Sequence, residues 1–86
     1  MDPVDARLAA TLLRLADRDG VPSPEGIELP FHLTRKSLAE MSGTTVETAI
    51  RVVSRWLREA LVVDRQGRLV VRDREALRQI AAGGTD

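Results

Sequence analysis

Residues 43–55, G-T-T-V-E-T-A-I-R-V-V-S-R, hold the side chains of this chain best placed for chemistry with a partner. On a 3.6-residue wheel, Glu47, Ile50, Arg51, Ser54, Arg55 and Arg58 gather on one side. Ala49, Val52, Val53, Trp56, Leu57 and Ala60 gather on the other and form a packing face. The polar side offers a carboxylate acceptor, an aliphatic contact and several forked cationic donors within a few turns. That set complements base edges and phosphates in a major groove.

Local signals define the helix that carries these residues. Thr44 is expected as its N-cap, with Glu47 three residues later completing a capping box, and the helix is expected over residues 45–59. Thr34 caps a shorter helix through Leu38, Ala39 and Met41, which Gly43 stops. Two helices this close, short then long with Gly in the turn, predict a helix-turn-helix over 34–59. Ahead of it, Asp2 is expected to cap a helix over 3–19, with Pro3 in the first position, Asp5 near the positive end of the dipole, and Leu8, Leu12 and Leu15 along one stripe. Residues 20–26, G-V-P-S-P-E-G, predict a loop. Ile27-Glu28-Leu29 predict a short strand that Pro30 confines to a sheet edge. Two β-rich runs around Gln66-Gly67 predict a hairpin over 61–72, and Asp73 opens a final helix over 73–82. The expected order is helix, strand, helix, helix, strand, strand, helix: a mainly α winged helix-turn-helix whose hairpin is the wing.

Eighty-six residues make one domain with one modest core, and only Phe31 and Trp56 are aromatic, so that core is expected to be aliphatic. The absence of cysteine excludes disulfides, thiolate metal sites and cysteine nucleophiles. His32 stands alone, which leaves no basis for a metal site. No catalytic constellation emerges, so the chain is expected not to be an enzyme. No apolar run approaches membrane-spanning length, and no membrane partner is expected. Net charge is zero, yet its distribution is uneven. Between Thr34 and Arg72 lie eight basic residues (Arg35, Lys36, Arg51, Arg55, Arg58, Arg65, Arg68, Arg72) and four acidic ones (Glu40, Glu47, Glu59, Asp64), so that segment is +4 and the flanks together −4. A basic segment inside a neutral chain is the electrostatic footprint of a polyanion partner.

The run L-T-R-K-S-L-A-E-M-S-G-T-T-V-E-T-A-I-R-V-V-S-R-W-L-R-E-A-L-V resembles the C-terminal DNA-binding domain of the Crp/Fnr superfamily of bacterial transcription regulators. The family pattern G-x-[TS]-x-E-T-x-x-R falls on residues 43–51, and the likeness runs from about Arg7 to about Leu77. The resemblance implies sequence-specific binding of double-stranded DNA, with Glu47 and Arg51 reading bases. Glu47 would accept from a cytosine N4 amino group, and Arg51 would fork onto guanine O6 and N7. Val46 stands where Fnr-type members often carry Val, which implies a TTGAT-like half-site. Ile50 replaces the usual Ser or Gly, Ala60 the usual Gly after the recognition helix, and Ser37 a common Asp. Family members carry a sensor domain and a dimerisation helix before this domain, so the chain is expected to be an excised domain, with a free-standing one as the alternative. The resemblance further implies a homodimeric parent, a monomeric isolated domain, RNA polymerase as a further partner, a cytoplasmic location on the bacterial nucleoid, and no cofactor in this chain.

Most of these residues admit a second reading from spacing alone. Glu47 and Arg51 are i,i+4, and such a surface ion pair steadies a helix by about 0.3–0.5 kcal/mol. Val46 and Ile50 suit either thymine methyls or the boundary of the core. Thr34, Arg35, Lys36, Thr44, Thr45, Ser54, Arg55, Arg58 and Arg68 are candidates for phosphate contact, directly or through helix N-termini, while each charge taken singly also suits a solvated surface. Arg65, Arg68 and Arg72 alternate with apolar residues, as either the wet face of the hairpin or a contact with adjacent backbone. Trp56 belongs to the core. A winged helix used for protein–protein interaction is the competing function, favoured by zero net charge and by Ile50 on the exposed face.

Overall fold

The computed structural model describes residues 3–83, so the expected Asp2 cap lies outside the described residues. Helix α1 (Pro3–Asp19) opens with proline and Asp5 in its first turn and buries Leu8, Ala9, Leu12, Leu15 and Ala16. It ends at Gly20, whose N–H donates to Ala16 O at 2.9 Å. A Cβ on Gly20 would lie 2.4 Å from that carbonyl oxygen and 2.2 Å from Ile27 Cγ2, so this close approach requires glycine.

Residues 20–26 are not the loop the two prolines suggested. Strands β1 (Val21–Ser23) and β2 (Gly26–Glu28) form an antiparallel hairpin with Pro24 and Glu25 in its turn. Pro22 has no N–H to donate, and β1 sits at the sheet edge where none is needed. Nor is the second strand an edge. The sheet order is β1-β2-β4-β3, and β2 pairs with β4 through Ile27↔Val71 and Glu28↔Val70. Pro30 lies beyond β2 and leaves its ladder intact; Leu29 N still donates to Leu69 O at 2.9 Å. Gly26 makes the junction, because a Cβ there would lie 2.1 Å from Val71 O.

Helix α2 (Arg35–Ser42) starts at Thr34, whose side chain accepts from Ser37 N at 2.9 Å. It stops at Gly43, left-handed at φ 70, with Thr44 N donating back to Ala39 O at 3.0 Å. Thr44 thereby belongs to the turn that ends α2, and the next cap falls one residue later. Thr45, not Thr44, caps α3 (Val46–Arg58), accepting from Thr48 N at 3.2 Å. Thr48 therefore takes the position expected for Glu47, the capping box does not form, and the Glu47 carboxylate stays uncommitted.

Ala49, Val52, Val53 and Trp56 of α3 are buried with Leu8, Leu12, Leu38, Val62, Leu69 and Leu77 in one largely aliphatic core. Met41, expected on the apolar side of α2, is instead 46% exposed. Strands β3 (Val62–Arg65) and β4 (Arg68–Val71) form the wing, with Arg65↔Arg68 closing a two-residue turn. Gln66 (φ 55) and Gly67 (φ 89) are both left-handed, as a type I′ turn requires, and Asp64 Oδ1 accepts from Gly67 N at 2.7 Å. Helix α4 (Arg74–Ala81), capped by Asp73, packs against α1. The architecture is the expected winged helix with one additional strand. No helix among the described residues is long and apolar enough to cross a membrane.

Polar contacts from three α1 residues tie it to the helix-turn-helix. Arg7 donates from Nε to Ser42 O at 2.9 Å and from Nη2 to Gly43 O at 3.2 Å, closing the C-terminus of α2 with a cation. Ser42 Oγ donates to Thr11 Oγ1 at 2.9 Å in the buried α1–α2 seam. Asp5, whose side chain is 6% exposed, pairs with Arg55 of α3, 34% exposed.

Two stability changes follow. Ala60 occupies the left-handed position after α3 (φ 59), with Leu61 N donating to Trp56 O at 2.9 Å. Ala60→Gly removes the Cβ conflict at some cost in unfolded-chain entropy and should raise stability by about 0.5–1 kcal/mol. Asp5→Ala strands a partly buried guanidinium and should lower it by about 2–3 kcal/mol, less than for a fully buried pair. Urea unfolding followed by Trp56 fluorescence measures both.

Candidate nucleic-acid interface

The helix-turn-helix presents its candidate residues on one accessible surface. With the Ala49–Val52–Val53–Trp56 stripe committed to the core, the opposite face of α3 exposes Val46 (36%), Glu47, Ile50 (47%) and Arg51, with Arg58 two turns further along. Ser54 and Arg55 are half-buried at its flank. Thr34, Arg35 and Lys36 bring the start of α2 to solvent, with Arg35 half-buried. Thr44 is half-buried in the turn and Thr45 exposed at the cap.

The charges on this surface are uncommitted. Among the described residues, the side chains of Arg35, Lys36, Glu47, Arg51 and Arg58 make no hydrogen bond or ion pair. The Glu47–Arg51 ion pair that i,i+4 spacing allows is therefore not formed. Each group keeps its hydrogen-bonding capacity for a partner: two carboxylate oxygens on Glu47 and five N–H donors on Arg51, one helical turn apart.

Other predicted residues are differently placed. Arg55 is held by Asp5 across the α1–α3 seam. On the wing, Arg68 Nη1 lies 3.8 Å from Glu28 Oε2 and Arg65 Nη1 3.2 Å from Glu25 Oε1, while Arg72 Nη1 donates to Ala60 O at 3.3 Å. The wing thus has its cations engaged, and the helix-turn-helix, Arg55 apart, has its cations free. His32 lies against the wing turn, where a Cβ on Gly67 would come within 2.6 Å of its Nδ1 and Cε1. No group of three or more metal-ligating side chains occurs among the described residues.

The roles of Asp5, Arg7, Glu25 and Glu28 were not anticipated. Asp5 did leave a trace in the sequence: it shares the buried stripe with Leu8, Leu12 and Leu15, and a carboxylate on such a stripe needs a partner. The pairing of Glu25 and Glu28 with arginines far along the chain has no local signature.

The fold has counterparts among known proteins. The model of the Crp-like helix-turn-helix domain matches residues 6–80. A global nitrogen regulator from Synechococcus elongatus is 32% identical over 74 residues, 86% of this chain and 33% of the relative. The CO-dependent transcription factor CooA from Carboxydothermus hydrogenoformans, in an imidazole-bound form, superposes with a TM-score of 0.81 at 27% identity, over 90% of this chain and 36% of that one. A transcriptional regulator of the CRP family from Thermus thermophilus superposes with a TM-score of 0.83 at 25% identity, over 95% of this chain and 42% of that one. The chain thus spans between about a third and two fifths of the length of these relatives. It belongs to the Crp-like helix-turn-helix family, the winged-helix DNA-binding domains of Crp/Fnr-type transcription regulators.

Proposed function

We propose that this domain binds double-stranded DNA sequence-specifically, with α3 in the major groove. The observation that carries the reading is the pair Glu47 and Arg51, exposed and unpaired one turn apart at the start of a helix whose other face is buried. Glu47 accepts from a cytosine N4 amino group, and Arg51 forks onto guanine O6 and N7. Val46 and Ile50, the exposed aliphatics beside them, meet thymine methyls; Val46 favours a TTGAT-like half-site. Thr34, Arg35, Lys36, Thr44, Thr45, Ser54 and Arg58 supply phosphate contacts around the groove. Arg55 and Arg68 join them only with the N–H groups that Asp5 and Glu28 leave free. In a longer, dimeric parent, two such domains would address half-sites about one helical turn apart. A single domain binds more weakly, lacking the avidity of two tethered sites.

A second reading, a protein-interaction surface, draws on the exposure of Met41, Val46 and Ile50. Ionic strength separates the two, since phosphate binding falls steeply with salt and an apolar interface does not.

Titration of labelled duplexes, a TTGAT palindrome and a scrambled control, tests the proposal. Arg51→Ala should cost about 1–3 kcal/mol on the palindrome and erase preference at one base pair. Arg58→Ala should weaken both duplexes alike and reduce the salt slope by about one. No binding of either duplex even at low salt would move the protein-interaction reading to the front.

A further inference from the structure

We infer that Glu25 and Glu28 of the β1–β2 hairpin act as a counter-charge that weakens the wing's hold on the DNA backbone, and so set how tightly the domain holds any duplex. The inference rests on the DNA-binding reading above and adds a role for a hairpin outside the helix-turn-helix.

The wing has the composition of a phosphate clamp: Arg65 and Arg68 flank the exposed Gln66-Gly67 tip. The fold places three carboxylates around them. Glu25 reaches Arg65 at 3.2 Å, Glu28 reaches Arg68 at 3.8 Å, and Asp64 sits inside the tip, bound to Gly67 N at 2.7 Å. Glu28, Asp64, Arg65 and Arg68 line one polar cleft of about 570 Å³ between wing and hairpin. The two arginines and three carboxylates leave the wing edge one charge negative, whereas the cations of α2 and α3 named above, Arg55 apart, have no carboxylate bound to them.

Backbone pairing holds this arrangement in place. Glu28 lies opposite Val70 in the β2–β4 ladder, which makes Arg68 its diagonal neighbour on the same face. The Glu28 side chain is only 23% exposed, so it cannot retreat far into solvent. An exposed ion pair contributes little to stability, and the inference does not depend on such strength. It depends on where the charges are. Glu25 and Glu28 each lie within 4 Å of an arginine, far inside the Debye length of about 8–10 Å, so an approaching phosphate meets a largely cancelled field at the wing in this arrangement. Because phosphate contacts carry no sequence information, the counter-charge lowers affinity for all duplexes together and leaves base preference to α3.

The test measures palindromic and scrambled duplexes with the wild type, the near-isosteric double variant Glu25→Gln/Glu28→Gln, and a quadruple variant adding Arg65→Gln/Arg68→Gln. The double variant should bind both duplexes more tightly with an unchanged ratio between them. Its salt slope should steepen by about one to two, so that affinity falls about threefold more per added contact between about 50 and 200 mM salt. The quadruple variant should lose that gain. A double variant matching the wild type in affinity and slope overturns the inference, as does a gain that survives in the quadruple variant. Glu25→Gln alone, at a site almost half exposed, supplies a variant whose fold is not at stake, and it should show a smaller gain of the same kind. Arg51→Ala in the same titrations keeps the two ideas apart. Loss of preference in that variant with no gain in the double variant sinks the counter-charge and spares base reading; absence of salt-sensitive binding by the wild type sinks both.

Discussion

Burial of one stripe of α3 is the constraint on which the rest of the molecule depends. Ala49, Val52, Val53 and Trp56 recur at helical spacing and are all inaccessible to solvent, so the rotation of α3 about its own axis is settled by the core. Once that face is inside, Val46, Glu47, Ile50 and Arg51 have nowhere to go but out. The opposite choice would expose the indole and three aliphatic side chains while burying an arginine and a glutamate without partners, a far more costly arrangement. The chemistry of the exposed face is in this sense a by-product of the packing of the other.

The remaining freedom of α3, its tilt and its distance from α2, is removed by polar contacts at the edges of that core. Arg7 closes the α2 C-terminus, Thr11 and Ser42 share a buried hydrogen bond, and Asp5 holds Arg55. All three begin in the N-terminal half of α1. They give α1 a part in orienting the exposed face of α3, and they explain why a carboxylate is tolerated among its buried positions.

Electrostatics divides the surface in two. The exposed cations of the helix-turn-helix are free and those of the wing are bound to carboxylates or to a backbone carbonyl, although the sequence carries both at similar density. A basic segment of +4 therefore does not translate into a uniformly positive face. In the proposed function, affinity for DNA follows from which arginines remain unpaired after folding, and for Arg65 and Arg68 that depends on the β1–β2 hairpin, a segment with no place in the helix-turn-helix motif.

The sequence by itself determined the elements whose causes are local. Helical periodicity set the two faces of α3, Gly43 the end of α2, and Gln66-Gly67 the tip of the wing, because each depends on residues within a turn of one another. The residues of the proposed reading head were legible for the same reason: Glu47, Ile50 and Arg51 sit opposite a stripe visible in the sequence. Tertiary structure alone decided what needed a distant partner. Residues 20–26, rich in Pro and Gly, became half of a hairpin because β4 offers β2 a ladder from the far end of the chain, pairing Ile27 with Val71 and Glu28 with Val70. Thr45 displaced Thr44 as the cap because Thr44 is held in the turn that closes α2 on Ala39, so α3 starts one residue later. Arg55 and Arg68, indistinguishable in sequence from Arg51 and Arg58, were set apart by Asp5 and Glu28. An arginine's type is written in the chain; whether its charge is available depends on which carboxylate the fold brings to it.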